Sequence, residues 1–145
     1  MSKKVLVFGT FDPLHAGHED FFRQAQSLGD QLIVVVTRDQ VIRRQKKREP
    51  YQAEEARRQA VAGAAPGSMV ILGDMRPEDY GVLRTQSFDI LALGYDQSPP
   101  DAAARQLLDR LGKQQVAIVR LQPFKSEQYK SSYLRPPASP SGTLA

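Results

Sequence analysis

Leu32-Ile33-Val34-Val35-Val36 is an unbroken apolar run with no polar residue at alternate positions. A strand with one face in water alternates, whereas a strand covered on both faces does not. The run is also far shorter than the ~18 residues of a membrane span. It therefore predicts an inner strand, Gln31 to Thr37, with helices packed on both sides. Apolar runs at Lys4 to Phe8, Val70 to Leu72, Asp89 to Leu93 and Val116 to Leu121 predict four more strands.

Between the strands the sequence turns helical. The first helix opens near Ala16 to Glu19, carries Phe21, Phe22, Ala25 and Leu28 on one face, and closes at Gly29. Arg38 to Gln52 reads as a loop ending near Pro50, followed by a helix over Ala53 to Ala65 that Gly67 terminates. Pro77 to Gln86 is a helix begun by proline. Another, after Pro99 and Pro100, carries Ala103, Leu107, Leu108 and Leu111 and stops at Gly112. Alternating strands and helices define an α/β chain, and five strands predict a Rossmann-like, doubly wound, mostly parallel sheet.

At 145 residues the chain fits one domain, expected over residues 1–135, with a proline- and serine-rich tail at 136–145 that is expected to be disordered. The absence of cysteine excludes disulfides and thiolate metal sites. With no secretory h-region and no span-length apolar segment, the expectation is a cytoplasmic protein that does not engage a membrane. The net charge of +4 comes partly from Arg43-Arg44-Gln45-Lys46-Lys47-Arg48. No aromatic residue interleaves this cluster and no nucleic-acid-binding signature accompanies it. Small phosphorylated ligands or plain solvation account for it better than nucleic acid does.

The segment Gly9-Thr10-Phe11-Asp12-Pro13-Leu14-His15-Ala16-Gly17-His18 leaves the first strand and enters a helix. The helix start favours an anion through its unpaired N–H groups and positive dipole end, so phosphate is the natural ligand. Ligands in open α/β sheets bind at the carboxyl ends of strands. Thr37-Arg38-Asp39 with the basic segment, Gly94-Tyr95-Asp96-Gln97, and Lys130-Ser131-Ser132 all fall at or after such ends. A zinc site on His15 and His18 would need a third ligand such as Asp12, because the chain has only two histidines and no cysteine. Asp39 either orients a ligand or caps the segment beginning at Gln40.

The decapeptide in its strand–loop–helix setting resembles the opening signature of the His-x-Gly-His nucleotidyltransferases, which join a nucleotide to a phosphorylated metabolite. Within that superfamily the chain looks most like the small archaeal-type FAD synthases. The likeness is carried by Thr37-Arg38-Asp39, Lys46-Lys47-Arg48-Glu49-Pro50, Ala53-Glu54-Glu55-Ala56-Arg57, Leu93-Gly94-Tyr95-Asp96-Gln97 and Ser131-Ser132. Two departures stand out: Lys47 replaces the usual glycine and Ala53 the usual proline.

The resemblance implies transfer of AMP from ATP to FMN with release of pyrophosphate, dependent on Mg²⁺ or another divalent cation held largely by the nucleotide phosphates. It implies catalytic roles for His15, His18 and Lys46. Nucleotide contacts would come from Thr10, Phe11, His15, His18, Gly94, Asp96, Gln97, Ser131 and Ser132. The acceptor and its phosphate would meet Asp39, Lys46, Arg48 and Arg57, the last reaching in from its helix. Phe124, Tyr129 and Tyr133 are candidates for a flat apolar flavin slot. Relatives of this size are commonly dimers, so a homodimer is a further expectation. The alternatives are a cytidylyltransferase using CTP and glycerol 3-phosphate or a similar alcohol, and a nucleotide-binding module without activity.

Overall fold

Val5, Leu6 and Val7 have no exposed surface, because strand β1 (Lys4–Gly9) lies in the middle of a sheet with helices on both faces. The computed structural model describes residues 2–124. In it β1 pairs with β2 (Gln31–Val36) on one side and with β4 (Ile90–Leu93) on the other. β3 (Met69–Leu72) adds to β2 and β5 (Ala117–Arg120) adds to β4, giving the order β3-β2-β1-β4-β5 with every pairing parallel. The strand order reverses at β1, between β2 and β4. This is the place where a doubly wound sheet opens a crevice at its carboxyl edge.

Side chains of β1 alternate between two cores. Val5 and Val7 pack with Phe22 and Ala25 of α1 (Ala16–Gln26) and Val61 of α3 (Glu54–Ala64). Leu6 and Phe8 pack with Val82 and Leu83 of α4 (Gly81–Thr85) and with Ala104, Leu107 and Leu108 of α5 (Asp101–Arg110). Fully burying one such branched side chain is worth about 1.5–3 kcal/mol, and a one-residue slip of β1 would exchange the two cores. Register is thereby fixed, and with it the height at which the β1 loop leaves the sheet.

Several expectations are corrected. The segment Arg38 to Gln52 contains a helix, α2 (Asp39–Lys46). Only Val41 and Ile42 of that helix are buried, too few to print a helical period on an otherwise charged stretch. Pro77 to Gln86 is divided: a 3₁₀ turn at Pro77–Asp79 ends where Tyr80 adopts φ 56°, and the Asp74 carboxylate accepts the Val82 N–H at 3.1 Å to start α4. α5 buries Ala104 and leaves Ala103 exposed. α1 stops at Gln26, with Ser27 as its C-cap, ahead of Gly29. Gly112 does end α5 at φ 78°, with the Lys113 N–H reaching the Leu108 carbonyl at 2.8 Å.

Lys47 caps α2 in the left-handed region, φ 57° and ψ 38°, where a Cβ is disfavoured. Lys47→Gly is expected to raise stability by about 0.5–1 kcal/mol, since relief of this strain exceeds the added freedom of the unfolded chain. Urea unfolding of the two proteins checks this, and an unchanged or lower midpoint would contradict it.

Candidate active site

The three inner strand ends are tied together by their exits. Thr37, which follows β2, sends its backbone N–H to the Gly9 carbonyl at 3.0 Å and its hydroxyl to the same oxygen at 3.1 Å. Gln97, after β4, donates its side-chain amide to the Phe8 carbonyl at 3.0 Å and accepts the Gly94 N–H at 3.0 Å. The loops after β1, β2 and β4 therefore form one floor at the carboxyl edge of the sheet.

On this floor the β1 loop turns back sharply. Phe11 takes φ 52° and its ring is only 3% exposed. A Cβ on Gly9 would lie 2.3 Å from that ring, so only glycine leaves room for it. Phe11 in turn meets the edge of the His18 ring at a centroid distance of 5.1 Å. Gly9, Phe11 and His18 thus form a stack in which each fixes the next.

The two histidines complete the start of α1. His15 is its N-cap, and its Nδ1 accepts the Gly17 N–H at 3.1 Å. The Nδ1 of His18 accepts the His15 N–H at 3.2 Å, closing a capping box built from imidazoles. A ring nitrogen that accepts a hydrogen bond uses its lone pair, so the proton of each neutral ring sits on Nε2. The rings stack at 3.8 Å. Burial, followed by the charge of His15, pushes the His18 pKa down from 6.5 to about 3. His18 is therefore a neutral Nε2–H donor at ordinary pH. A Cβ on Gly17 would lie 2.9 Å from the His15 ring, which makes this glycine part of the same tautomer lock.

Asp12 has a fully buried side chain that accepts the backbone N–H groups of Tyr51 at 2.8 Å and Gln52 at 2.9 Å, together with Nη1 of Arg48 at 3.3 Å. It straps the basic segment to the histidine loop, and its oxygens are engaged there rather than held ready for a metal. Among the described residues no group of three or more His, Cys, Asp or Glu forms a metal cage. Lys46 ends α2, and its pKa is lowered by burial and by Arg48, with Asp12 opposing. Lys46, Arg48 and Asp12 consequently lie together beside the loop.

Arg57 departs from its expected part. It is 0% exposed and does not reach into a crevice. Its guanidinium donates to the carbonyls of Gln52 at 2.9 Å, Thr10 at 2.9 Å and Thr37 at 2.7 Å, and to the Asp39 carboxylate at 2.6 Å. Asp39 does not cap the segment beginning at Gln40, because its carboxylate is turned to α3 and to Arg57. It accepts the Glu54 N–H at 3.2 Å, while the Glu54 carboxylate accepts the Asp39 N–H at 2.8 Å, so α2 and α3 cap each other. Gln97 is 5% exposed with both ends of its amide engaged inside the fold, so it braces the β4 loop from beneath. Asp96 is exposed and Gly94 half-buried on that loop.

Asp12 belongs to the signature loop, but its part as a strap is not legible there. Arg120 on β5 carries no sequence signal of its own: its five N–H groups reach the carbonyls of Gly94 (2.7 Å), Gln97 (2.6 Å) and Pro99 (2.9 Å) and, twice, the Asp101 carboxylate (3.0 and 2.6 Å). This clamp orders the loop from β4 to α5, and nothing short of the fold reveals it. Ser131, Ser132, Tyr129, Tyr133 and the tail at 136–145 lie outside the described residues. Phe124 is half-buried.

A neutral imidazole pair on a helix start, at the switch point of a five-stranded parallel sheet with lysine and arginine alongside, defines a Rossmann-like nucleotidyltransferase. The chain belongs to the cytidylyltransferase-like family, whose model matches residues 6–136. It is 41% identical to a FAD synthase of Korarchaeum cryptofilum over 138 residues, covering 93% of this chain and 91% of that one. A FAD synthase of Ferroglobus placidus is 37% identical over 119 residues, 81% of this chain and 76% of its own. Among solved structures, a lipopolysaccharide core biosynthesis protein from Thermoplasma volcanium superposes with a TM-score of 0.75 at 31% identity. That match covers 86% of this chain and all of the other. The chain is thus an enzyme of nucleotidyl transfer. Among the described residues, no helix is long and apolar enough to cross a membrane.

Proposed function

We propose that the enzyme transfers AMP from ATP to FMN. A phosphate oxygen of FMN attacks the α-phosphorus of ATP, the bond from that phosphorus to the β-phosphate bridging oxygen breaks, and FAD and pyrophosphate leave. The observation that carries this reading is the 41% identity to a FAD synthase along 93% of the chain. In it, residues 1–135 supply the catalytic unit, the enzyme works in the cytoplasm, and residues 136–145 take no part in the reaction.

The chemistry asks for positioning and for donors aimed where charge develops. His15 and His18 direct Nε2–H groups at the triphosphate, and the backbone of Thr10 and Phe11 supports them. Lys46 and Arg48 hold phosphate oxygens of donor or acceptor, while Gly94 and Asp96 border the ribose and base. Ser131 and Ser132 complete the phosphate contacts. Arg57, Asp39 and Gln97 serve by holding these loops in place.

With Asp12 engaged by the basic segment, the chain's donors fit an ion that arrives already coordinated to the triphosphate and keeps most of its waters, as Mg²⁺ does. Such an ion neutralises phosphate charge.

The test is pyrophosphate release by the purified protein with Mg²⁺, comparing ATP and CTP, each against FMN and glycerol 3-phosphate. Release with ATP and FMN, and FAD as the co-product, is expected. Turnover confined to CTP and glycerol 3-phosphate would replace this acceptor and donor. Nucleotide binding with no turnover in any pairing would leave a binding module.

A further inference from the structure

Tyr51 is 74% exposed, the most exposed large apolar side chain among the described residues. Single exposed aromatics are common and ordinarily need no explanation. This one is held in place on two sides. Its backbone N–H and that of Gln52 are fixed by the buried carboxylate of Asp12, which belongs to the histidine loop. The guanidinium carbon of Arg48 lies 4.6 Å from the centre of its ring, and Nη1 of Arg48 is anchored on Asp12 at 3.3 Å and on the Glu49 carbonyl at 2.9 Å. The result is a flat arginine–tyrosine layer, pre-ordered before any ligand arrives and fastened to the loop that carries His15 and His18.

Pre-ordering matters because a stacking surface that is already rigid gives up little conformational entropy when a ring lands on it. The layer also lies within a few residues of Lys46, Lys47 and Arg48. One short segment therefore offers cations for a phosphate and an open π-face for a planar ring. Glycerol phosphates supply only the first of these, whereas a phosphorylated heteroaromatic supplies both.

We propose that Tyr51 is the specificity residue for the acceptor, its open face stacking on a planar heteroaromatic ring such as the isoalloxazine of FMN. This rests on the adenylyl transfer to FMN proposed above. Tyr51→Leu is compared with Tyr51→Phe and the parent protein; the exposed position makes all three expected to fold alike. The readouts are separate KM values for FMN and for ATP, and the quenching of FMN fluorescence in a titration without ATP.

Tyr51→Leu is expected to raise the KM for FMN about tenfold, leave the KM for ATP within about twofold and abolish the quenching, while Tyr51→Phe retains all three. An unchanged KM for FMN in Tyr51→Leu, with the parent enzyme active on FMN, overturns the platform alone. A rise confined to the KM for ATP overturns it as well, by moving the ring to the nucleotide base. No turnover of FMN by the parent protein overturns the function from which the platform follows.

Discussion

Changing His18 to asparagine is expected to lower kcat about 100- to 1,000-fold while leaving the fold intact. The asparagine amide oxygen sits near the position of Nδ1, so it still accepts the His15 N–H that closes the capping box. What disappears is the Nε2–H, the ring's donor once Nδ1 is used as the acceptor in the capping box. Alanine would mix this loss with that of the cap, worth about 1 kcal/mol of stability. The check is steady-state pyrophosphate release together with urea unfolding. A kcat within tenfold of the parent would remove His18 from the chemistry.

The same substitution has a signature in pH. Folding holds the His18 pKa near 3 against the ordinary 6.5 of the unfolded chain, so between these values the unfolded chain binds the extra proton. The stability that depends on a neutral His18 is complete above about pH 6.5 and is lost as pH falls toward 3. Protonation also removes the lone pair that accepts the His15 N–H, so charge repulsion and loss of the cap act in the same direction. The parent protein should lose stability on the order of a few kcal/mol more than His18→Asn between pH 7 and pH 4. Parallel pH profiles for the two proteins would contradict this.

Arg57→Met is expected to cost about 3–5 kcal/mol, the largest stability loss of any single polar change in the described fold. Methionine fills much of the volume but leaves the carbonyls of Thr10, Thr37 and Gln52 and the Asp39 carboxylate without their shared donor. Arg57→Lys should recover only part, because an ammonium group cannot span four acceptors arranged around a planar fork. A loss below about 1 kcal/mol in urea unfolding would show that the loops hold one another without it.

Most of the architecture is written in apolar patterning. Leu32 to Val36 announces an inner strand because both faces are covered, and Phe22 and Ala25 mark the buried side of α1 by their spacing. The histidine loop is equally legible, since Gly9, Gly17 and the two imidazoles are each required by local contacts a few residues apart. What patterning does not carry is the destination of a long polar side chain. Arg57 and Arg120 have the composition of surface residues, yet one is fully buried and the other directs all five donors inward, through partners distant in sequence. Gln97 misleads in the same way, with a matching motif and an amide that faces the end of β1. α2 escaped because its two buried residues are adjacent, which fits a helix and a loop equally well.

Asp39 and Glu54 each complete the first turn of the other's helix. Neither α2 nor α3 can open at its start without stranding a donor in its neighbour, so the two fray or hold as one cooperative unit. Arg57 bonds to Asp39 and to the carbonyls of Thr10 and Gln52, which extends that unit to the histidine loop and to the strap beneath Tyr51. The cationic side of the floor is therefore an all-or-none element: it is assembled, lysine and tyrosine together, or it is absent.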